Sequence, residues 1–240
     1  MLAEIVDYDD LYAANGEFSA HMAEADALAA SQLPALPRAK RVALDRLEKI
    51  RPSTLLEVGC GIGAFLAHTK QLGCECFGVD PSSNAISRAR DYLSCQLDVG
   101  ALTPDVFPGR TFDVICSWEV LEHVKEVTSF LDTIRDRLTP GGLVFLSTPN
   151  YDSHWIWRDL EHDRRSSPPV HRTFWNKKAL SSALLRAGFR SITVRSYSIP
   201  LSAARRSAGT WAQLAVISMA LLMPNQRATL FAAARKSATS

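Results

Sequence analysis

An apolar run, TLLEVGC (54–60), breaks at three glycines, Gly59, Gly61 and Gly63, and gives way to AFLAHTKQLG (64–73), whose apolar residues recur with helical spacing. A buried strand that turns on glycine directly into a helix is the opening unit of a parallel sheet covered by helices. The glycines allow sharp turns and let a ligand lie against the main chain with no Cβ in the way. With Ala64 they also satisfy the GxGxxG/A pattern of dinucleotide binders, so the turn alone leaves the ligand open.

The alternation continues along the chain. CECFGVD (74–80) reads as the second strand, PSSNAISRARDYL (81–93) as a helix with polar residues at its start, and CQLDV (95–99) as a short third strand. TFDVICSW (111–118) is the fourth strand, VTSFLDTIRDRL (127–138) a helix stopped by Thr-Pro-Gly-Gly, and GLVFLSTPN (142–150) the fifth strand. A polar and aromatic segment follows at 151–175, then a helix in KKALSSALLRAGF, a sixth strand in RSITVRSYS, a helical stretch at 202–223 and a final strand at 227–236. The first fifty residues, alanine-rich and acidic before Pro34 and Pro37, read as helices laid over the open end of the sheet.

A chain of 240 residues fits one α/β domain, 1–240, more easily than two. Its formal charge of +2 gives no reason to expect a non-specific grip on nucleic acid. The N-terminus, MLAEIVDYDDLY, is acidic where a secretory or mitochondrial signal is basic, which predicts a cytoplasmic protein. The longest apolar tract, residues 212–223, falls short of the roughly 20 residues of a transmembrane helix. It reads as a buried helix, with peripheral lipid contact near Arg205 and Arg206 as the alternative. The five cysteines have no paired CxxC spacing and read as reduced, structural thiols.

In an open parallel sheet the ligand lies beyond the carboxyl ends of the strands. Asp80 closes the second strand about twenty residues after the glycines, where a carboxylate can accept from both hydroxyls of a ribose. Asp98 ends the third strand, placed to accept from the exocyclic amine of an adenine while the Val99 backbone bonds the ring edge; as a strand-ending Asp it is equally a turn or cap. Glu57 separates the candidate ligands. A carboxylate inside an apolar strand costs free energy without a partner, and a cationic ligand group would supply one, whereas a pyrophosphate would be repelled.

In CSWEVLEHV (116–124), Glu119, Glu122 and His123 are spaced so that a helix beginning at Glu119 would point all three the same way. The residues suit a metal site, a proton-accepting base, or simply a helix start.

LLEVGCGIGAFL, GVDPS, the LDV at 97–99, TFDVICSWEVLEHV and LTPGGLVFLSTPN together resemble the ordered motifs of class I S-adenosylmethionine-dependent methyltransferases, in the branch with the ubiquinone-biosynthetic O-methyltransferases. The resemblance covers roughly residues 50 to 190. It implies a Rossmann-like, doubly wound, seven-stranded sheet, mostly parallel with an antiparallel last strand, which agrees with the strand count above. It also implies that Glu57, Gly59, Cys60, Gly61, Asp80, Pro81, Asp98, Val99 and Ser117 line the cofactor site. Both the ubiquinone-pathway O-methyltransferases and the small-RNA terminal 2′-O-methyltransferases carry a similar ExxEH segment with a divalent ion implied, and in the RNA enzymes a later histidine completes the ligand set. That implies Glu119, Glu122, His123 and His171 as ligands of Mg²⁺, Mn²⁺ or Zn²⁺. Many small-molecule methyltransferases carry a similar segment without metal, which leaves His123 and Glu122 as base and positioning group, or the segment as scaffolding.

Trp155, Trp157 and Trp175, with Arg158, Arg164 and Arg165, make 151–175 a candidate substrate lid offering flat apolar faces and guanidinium donors. The expected acceptor is a hydroxyl on a small or lipid-linked metabolite. The rival readings are an RNA methyltransferase, which lacks an added basic domain here, a non-catalytic S-adenosylmethionine binder, and an NAD-dependent oxidoreductase, against which Glu57 and Asp98 argue.

Overall fold

The structure, a computed structural model, describes residues 33–153, 170–197 and 229–238, with Asp26 and Leu28. Seven strands form one sheet in the order β3-β2-β1-β4-β5-β7-β6. They are β1 (Thr54–Val58), β2 (Glu75–Asp80), β3 (Gln96–Val99), β4 (Phe112–Trp118), β5 (Leu138–Pro149), β6 (Arg190–Tyr197) and β7 (Thr229–Arg235). β7 is antiparallel to both β5 and β6, and the pairings among β1 to β5 are all parallel. The chain therefore has the expected seven-stranded, mostly parallel Rossmann-like sheet with an antiparallel last strand.

Strand alternation divides the core in two. Leu55, Val114, Cys116, Trp118 and Phe145 join the cluster under α1 (Arg38–Ile50), α2 (Ala64–Lys70) and α3 (Ser83–Tyr92). Leu56, Val58, Ile115, Val144 and Leu146 join the opposite cluster, with residues of α4 (Val127–Arg137) and α5 (Lys177–Arg186). The helices form because each carries an apolar stripe for its layer: Ala39, Ala43 and Leu47 on α1 are all buried. Local caps fix two of their starts, with Ser82 Oγ accepting from the Ala85 N–H at 3.0 Å and Asn176 Oδ1 from the Ala179 N–H at 2.8 Å.

Two sequence expectations change in detail. Thr139-Pro-Gly-Gly, expected only as a helix stop, lies within β5: Phe112 pairs with Leu138 and Val114 with Leu143, so the residues between loop out as a bulge, with Gly141 at φ 75°. The helix of the first fifty residues that is described, α1, runs down one face of the sheet from the carboxyl end of β1 rather than only capping the open end, because Ala43 and Leu47 pack on Leu55 and Phe231. The 202–223 helix, and residues 154–169 of the lid with Trp155, Trp157, Arg158, Arg164 and Arg165, lie outside the described residues. Among the described residues no helix is long and apolar enough to cross a membrane. All five cysteines are free thiols.

Candidate active site

The turn after β1 is built by short backbone bonds. The Gly59 and Cys60 N–H groups donate to the Val79 carbonyl at 2.8 and 3.2 Å, while Gly59, Gly61 and Gly63 all take positive φ. A Cβ on Gly61 would meet no atom within 4 Å, whereas one on Gly59 would stand 2.3 Å from Val120 Cγ2. Gly59 is thus required by packing against the segment after β4, and Gly61 presents bare backbone to open space, the form of a cradle for a ligand. The Tyr92 hydroxyl donates to the Ile62 carbonyl and holds the turn from behind.

Asp80 is buried, with one oxygen accepting from the Gly61 N–H at 2.7 Å and the other from the Ser82 N–H at 2.9 Å. The residue that would hold a ribose is thus fastened to the glycine turn itself. Pro81 beside it is exposed and Cys60 buried. Asp98 is exposed, and its Oδ1 accepts from the Val99 N–H at 2.9 Å, so the donor expected to meet a ring edge is held by the neighbouring acid.

Glu57 is 0% exposed, and among the described residues neither of its oxygens has a hydrogen-bond partner. Burial, only partly offset by Lys40, raises its pKa from the ordinary 4.5 to about 8. Lys40 Nζ, on the first turn of α1, stands 3.8 Å from Glu57 Oε1, beyond hydrogen-bonding distance. An orphaned buried carboxylate beside a bare glycine turn fits the cationic amino-acid end of S-adenosylmethionine. Ser117 Oγ is also buried without a partner among the described residues, but alternation puts it with Val58 on the opposite face of the sheet from Glu57.

The EVLEH segment departs from the helix that would align its acids. Glu119 sits at φ 54°, its N–H donating to the Ser147 carbonyl at 3.0 Å, and only Leu121–His123 form a 3₁₀ turn. Ser147 Oγ donates to Glu119 Oε1 at 2.6 Å and Thr148 Oγ1 to Glu122 Oε2 at 3.0 Å. Ser147 and Thr148 are consecutive on β5, so they project to opposite faces and draw the two acids apart.

Glu122, His123 and His171 do meet: one ligand atom from each lies within 4.8 Å of the others. Glu119 is not part of this cluster, which corrects the expected four-ligand set. His171 arrives because residues 170–173 are docked on the turn. The Arg172 and Thr173 N–H groups donate to the Glu122 carbonyl at 2.7 and 3.1 Å, and Thr173 Oγ1 donates to the Leu121 carbonyl at 2.9 Å. The His123 and His171 rings stand 4.9 Å apart, edge to face. His123 Nδ1 lies 2.9 Å from the Val170 carbonyl, which can only accept, so Nδ1 carries a proton and in the neutral ring Nε2 is the acceptor nitrogen. Nε2 lies 4.0 Å from Glu122 Oε1. Burial, then the nearby Glu119 charge, hold the Glu122 pKa well above the usual carboxylate range.

Lys40, Ser147, Thr148 and Val170 escaped the sequence reading. The two hydroxyl residues ending an otherwise apolar strand were the available signal; Lys40 had none. A groove of about 210 Å³ lined by Arg46, Lys49 and Phe145 lies toward the far end of α1 from Lys40 and contains none of these residues.

A seven-stranded sheet of this order, with a glycine turn, an orphaned acid and Asp80 at its carboxyl edge, defines a class of adenosyl-cofactor enzymes. The pattern of a family described as Methyltransferase domain matches residues 30–194, and the chain belongs to that family, among the class I S-adenosylmethionine-dependent methyltransferases. It is 34% identical over 101 residues to a ubiquinone biosynthesis O-methyltransferase of Sinorhizobium medicae, covering 40% of this chain and 41% of that protein. The match thus spans about two fifths of that relative's length. Among solved structures, it is similar to an S-adenosylmethionine-dependent methyltransferase from Archaeoglobus fulgidus, with a TM-score of 0.59, 16% identity, and coverage of 82% of this chain and 94% of that one. It is also similar to the phosphoethanolamine N-methyltransferase 2 of Haemonchus contortus bound to phosphomonomethylethanolamine and S-adenosylhomocysteine, with a TM-score of 0.64, 17% identity, and coverage of 98% and 61%. At these identities the structural likeness speaks for the fold.

Proposed function

We propose that the chain methylates a hydroxyl oxygen on a small or lipid-linked metabolite. S-Adenosylmethionine, when bound, supplies a methyl group already activated on a sulfonium, so the protein's task is to align the acceptor and take its proton. The observation that carries the reading is the His123 ring. Its Nδ1–H is tied to the Val170 carbonyl, so in the neutral ring the lone pair sits on Nε2, 4.0 Å from Glu122 Oε1, the tautomer in which the ring can accept a proton. Glu122, with a raised pKa and a hydrogen bond from Thr148, can share the proton that His123 receives. The O-methyltransferase relatives in the 34% range support oxygen as the acceptor atom.

Glu122, His123 and His171 also form a donor set suited to Mg²⁺, Mn²⁺ or Zn²⁺, with the Val170 carbonyl orienting His123 from behind. A divalent ion held there would lower the pKa of a hydroxyl bound beside it. Labelled-methyl transfer to a panel of catechols, phenols and sugar alcohols, with and without added Mn²⁺, tests the proposal. Transfer to a hydroxyl acceptor that is lost in His123→Ala supports it; transfer only to amines or to RNA, or none with tight cofactor binding, contradicts it.

A further inference from the structure

Three thiols, Cys74, Cys76 and Cys95, gather where β2 and β3 enter the sheet, at the opposite end of β2 from Asp80. We infer that Cys76 and Cys95 form a modification site, at which a hydroperoxide oxidises the pair to a reversible disulfide between the two strands.

Strand register brings the pair together. β2 and β3 run parallel with Phe77 opposite Gln96, so one residue earlier Cys76 stands beside Cys95. Both belong to the face covered by α1, α2 and α3, where Cys76 is buried and Cys95 packs against the same cluster. Neighbouring strands lie about 4.8 Å apart, inside the range of roughly 4.4–6.8 Å between Cα atoms that a disulfide spans. The rival partner is Cys74, whose sulfur lies 3.4 Å from that of Cys76. Residues two apart along an extended chain are about 6.6 Å from each other, at the edge of that range, which favours the bridge across the ladder. β3 is the edge strand of the sheet, so the bridge adds a covalent tie to a strand held from one side.

Exposure and hydrogen bonding set the order of events. Cys74 and Cys76 are 7% and 4% exposed, whereas Cys95 is only part-buried and open to a small oxidant. Cys76 Sγ lies 3.4 Å from Thr69 Oγ1 as well as from Cys74 Sγ. Hydrogen bonds from Cys74 and then Cys95, with Thr69 and the Lys70 charge behind them, hold the Cys76 pKa down although burial raises it. Cys76 is thus the acceptor sulfur of the cluster, and it takes the Cys95 proton as that thiol reacts. The Cys95 sulfur attacks the O–O bond of the hydroperoxide, forming a sulfenic acid and releasing an alkoxide, or hydroxide from hydrogen peroxide, which takes a proton from water. The Cys76 sulfur then displaces hydroxide from the Cys95 sulfur and forms the S–S bond; the hydroxide takes the Cys76 proton and leaves as water. Each sulfur gives up one electron, and the O–O bond is reduced by two.

The test treats the fully reduced chain with hydrogen peroxide and maps its thiols by alkylation and tandem mass spectrometry. Wild type is expected to lose two of its five free thiols, to carry a Cys76–Cys95 bridge within the monomer, and to regain all five with dithiothreitol. Cys95→Ser and Cys76→Ser are each expected to form no bridge, and in Cys76→Ser dimedone should trap a sulfenic acid on Cys95. Cys74→Ser should bridge as wild type does. A bridge through Cys74, a bridge between two chains, or oxidation of Cys95 onward to sulfinic acid while Cys76 stays reduced overturns the inference, as does a wild type that keeps all five thiols. Fragmentation of the bridged wild-type peptides locates both sulfurs directly, so the outcome stands even where a variant fails to fold.

Discussion

Lys40 Nζ stands 3.8 Å from Glu57 Oε1, a buried carboxylate that no hydrogen bond satisfies among the described residues. Burial there raises the Glu57 pKa from 4.5 to about 8. Between those values the native protein holds a proton that the unfolded chain has released, so this residue's contribution makes stability fall as pH rises from 4.5 toward 8. Glu57→Gln removes that dependence. Urea denaturation at pH 5 and pH 8 is expected to show the variant gaining on wild type by more than about 1 kcal/mol at the higher pH, since a tenfold change in proton affinity corresponds to about 1.4 kcal/mol. An equal difference at both pH values would show that Glu57 ionises normally.

The acceptor side makes its own prediction. His123→Ala is expected to lower kcat at least about a hundredfold while leaving S-adenosylhomocysteine binding intact, because the imidazole lies in the acceptor-side cluster with Glu122 and His171. If an ion is held there, exhaustive chelation lowers turnover and Mn²⁺ restores it in wild type but not in His171→Ala. Turnover that survives chelation and falls with His123→Ala assigns the histidine to base catalysis alone.

Much of this arrangement was legible in the sequence, and the exceptions have physical causes. Strand, glycine turn and helix recur with their own periodicities, so seven strands and the sites of Glu57 and Asp80 followed from local pattern. The grouping of Glu119 with Glu122 did not survive, because a three-residue spacing aligns side chains only in a helix and Glu119 takes φ 54°. Nothing local announces that conformation; it is imposed by Ser147, 28 residues away. Lys40 was invisible for a similar reason, since its approach to Glu57 depends on how α1 settles on the sheet.

Gly59 is expected to tolerate no side chain. In Gly59→Ala the new Cβ would stand 2.3 Å from Val120 Cγ2, at φ 73°. A loss of about 2–3 kcal/mol is expected on chemical denaturation. Adding Val120→Ala should restore only part of it, because the backbone strain of about 1 kcal/mol remains.

Arg137 anchors the loop between β3 and β4. Its buried guanidinium donates to the carbonyls of Arg110 at 2.8 Å, Pro104 at 3.1 Å and Phe107 at 2.6 Å, and Phe107 itself sits at φ 49°. Arg137→Ala removes the guanidinium from all three carbonyls, leaving Phe107 only its bond from the Arg110 N–H at 3.1 Å, and is expected to cost about 3 kcal/mol. Arg137→Lys, which cannot fork to three carbonyls, should recover less than half, as a thermal melt would show.

Whether Glu57 holds the methyl donor is decided by titrating S-adenosylhomocysteine into wild type and Glu57→Gln. Micromolar binding by wild type that weakens at least about tenfold in the variant, with 5′-methylthioadenosine little affected, is the predicted result. Equal affinity of the two proteins for S-adenosylhomocysteine would contradict it, for the buried carboxylate would then have no part in holding the methyl donor.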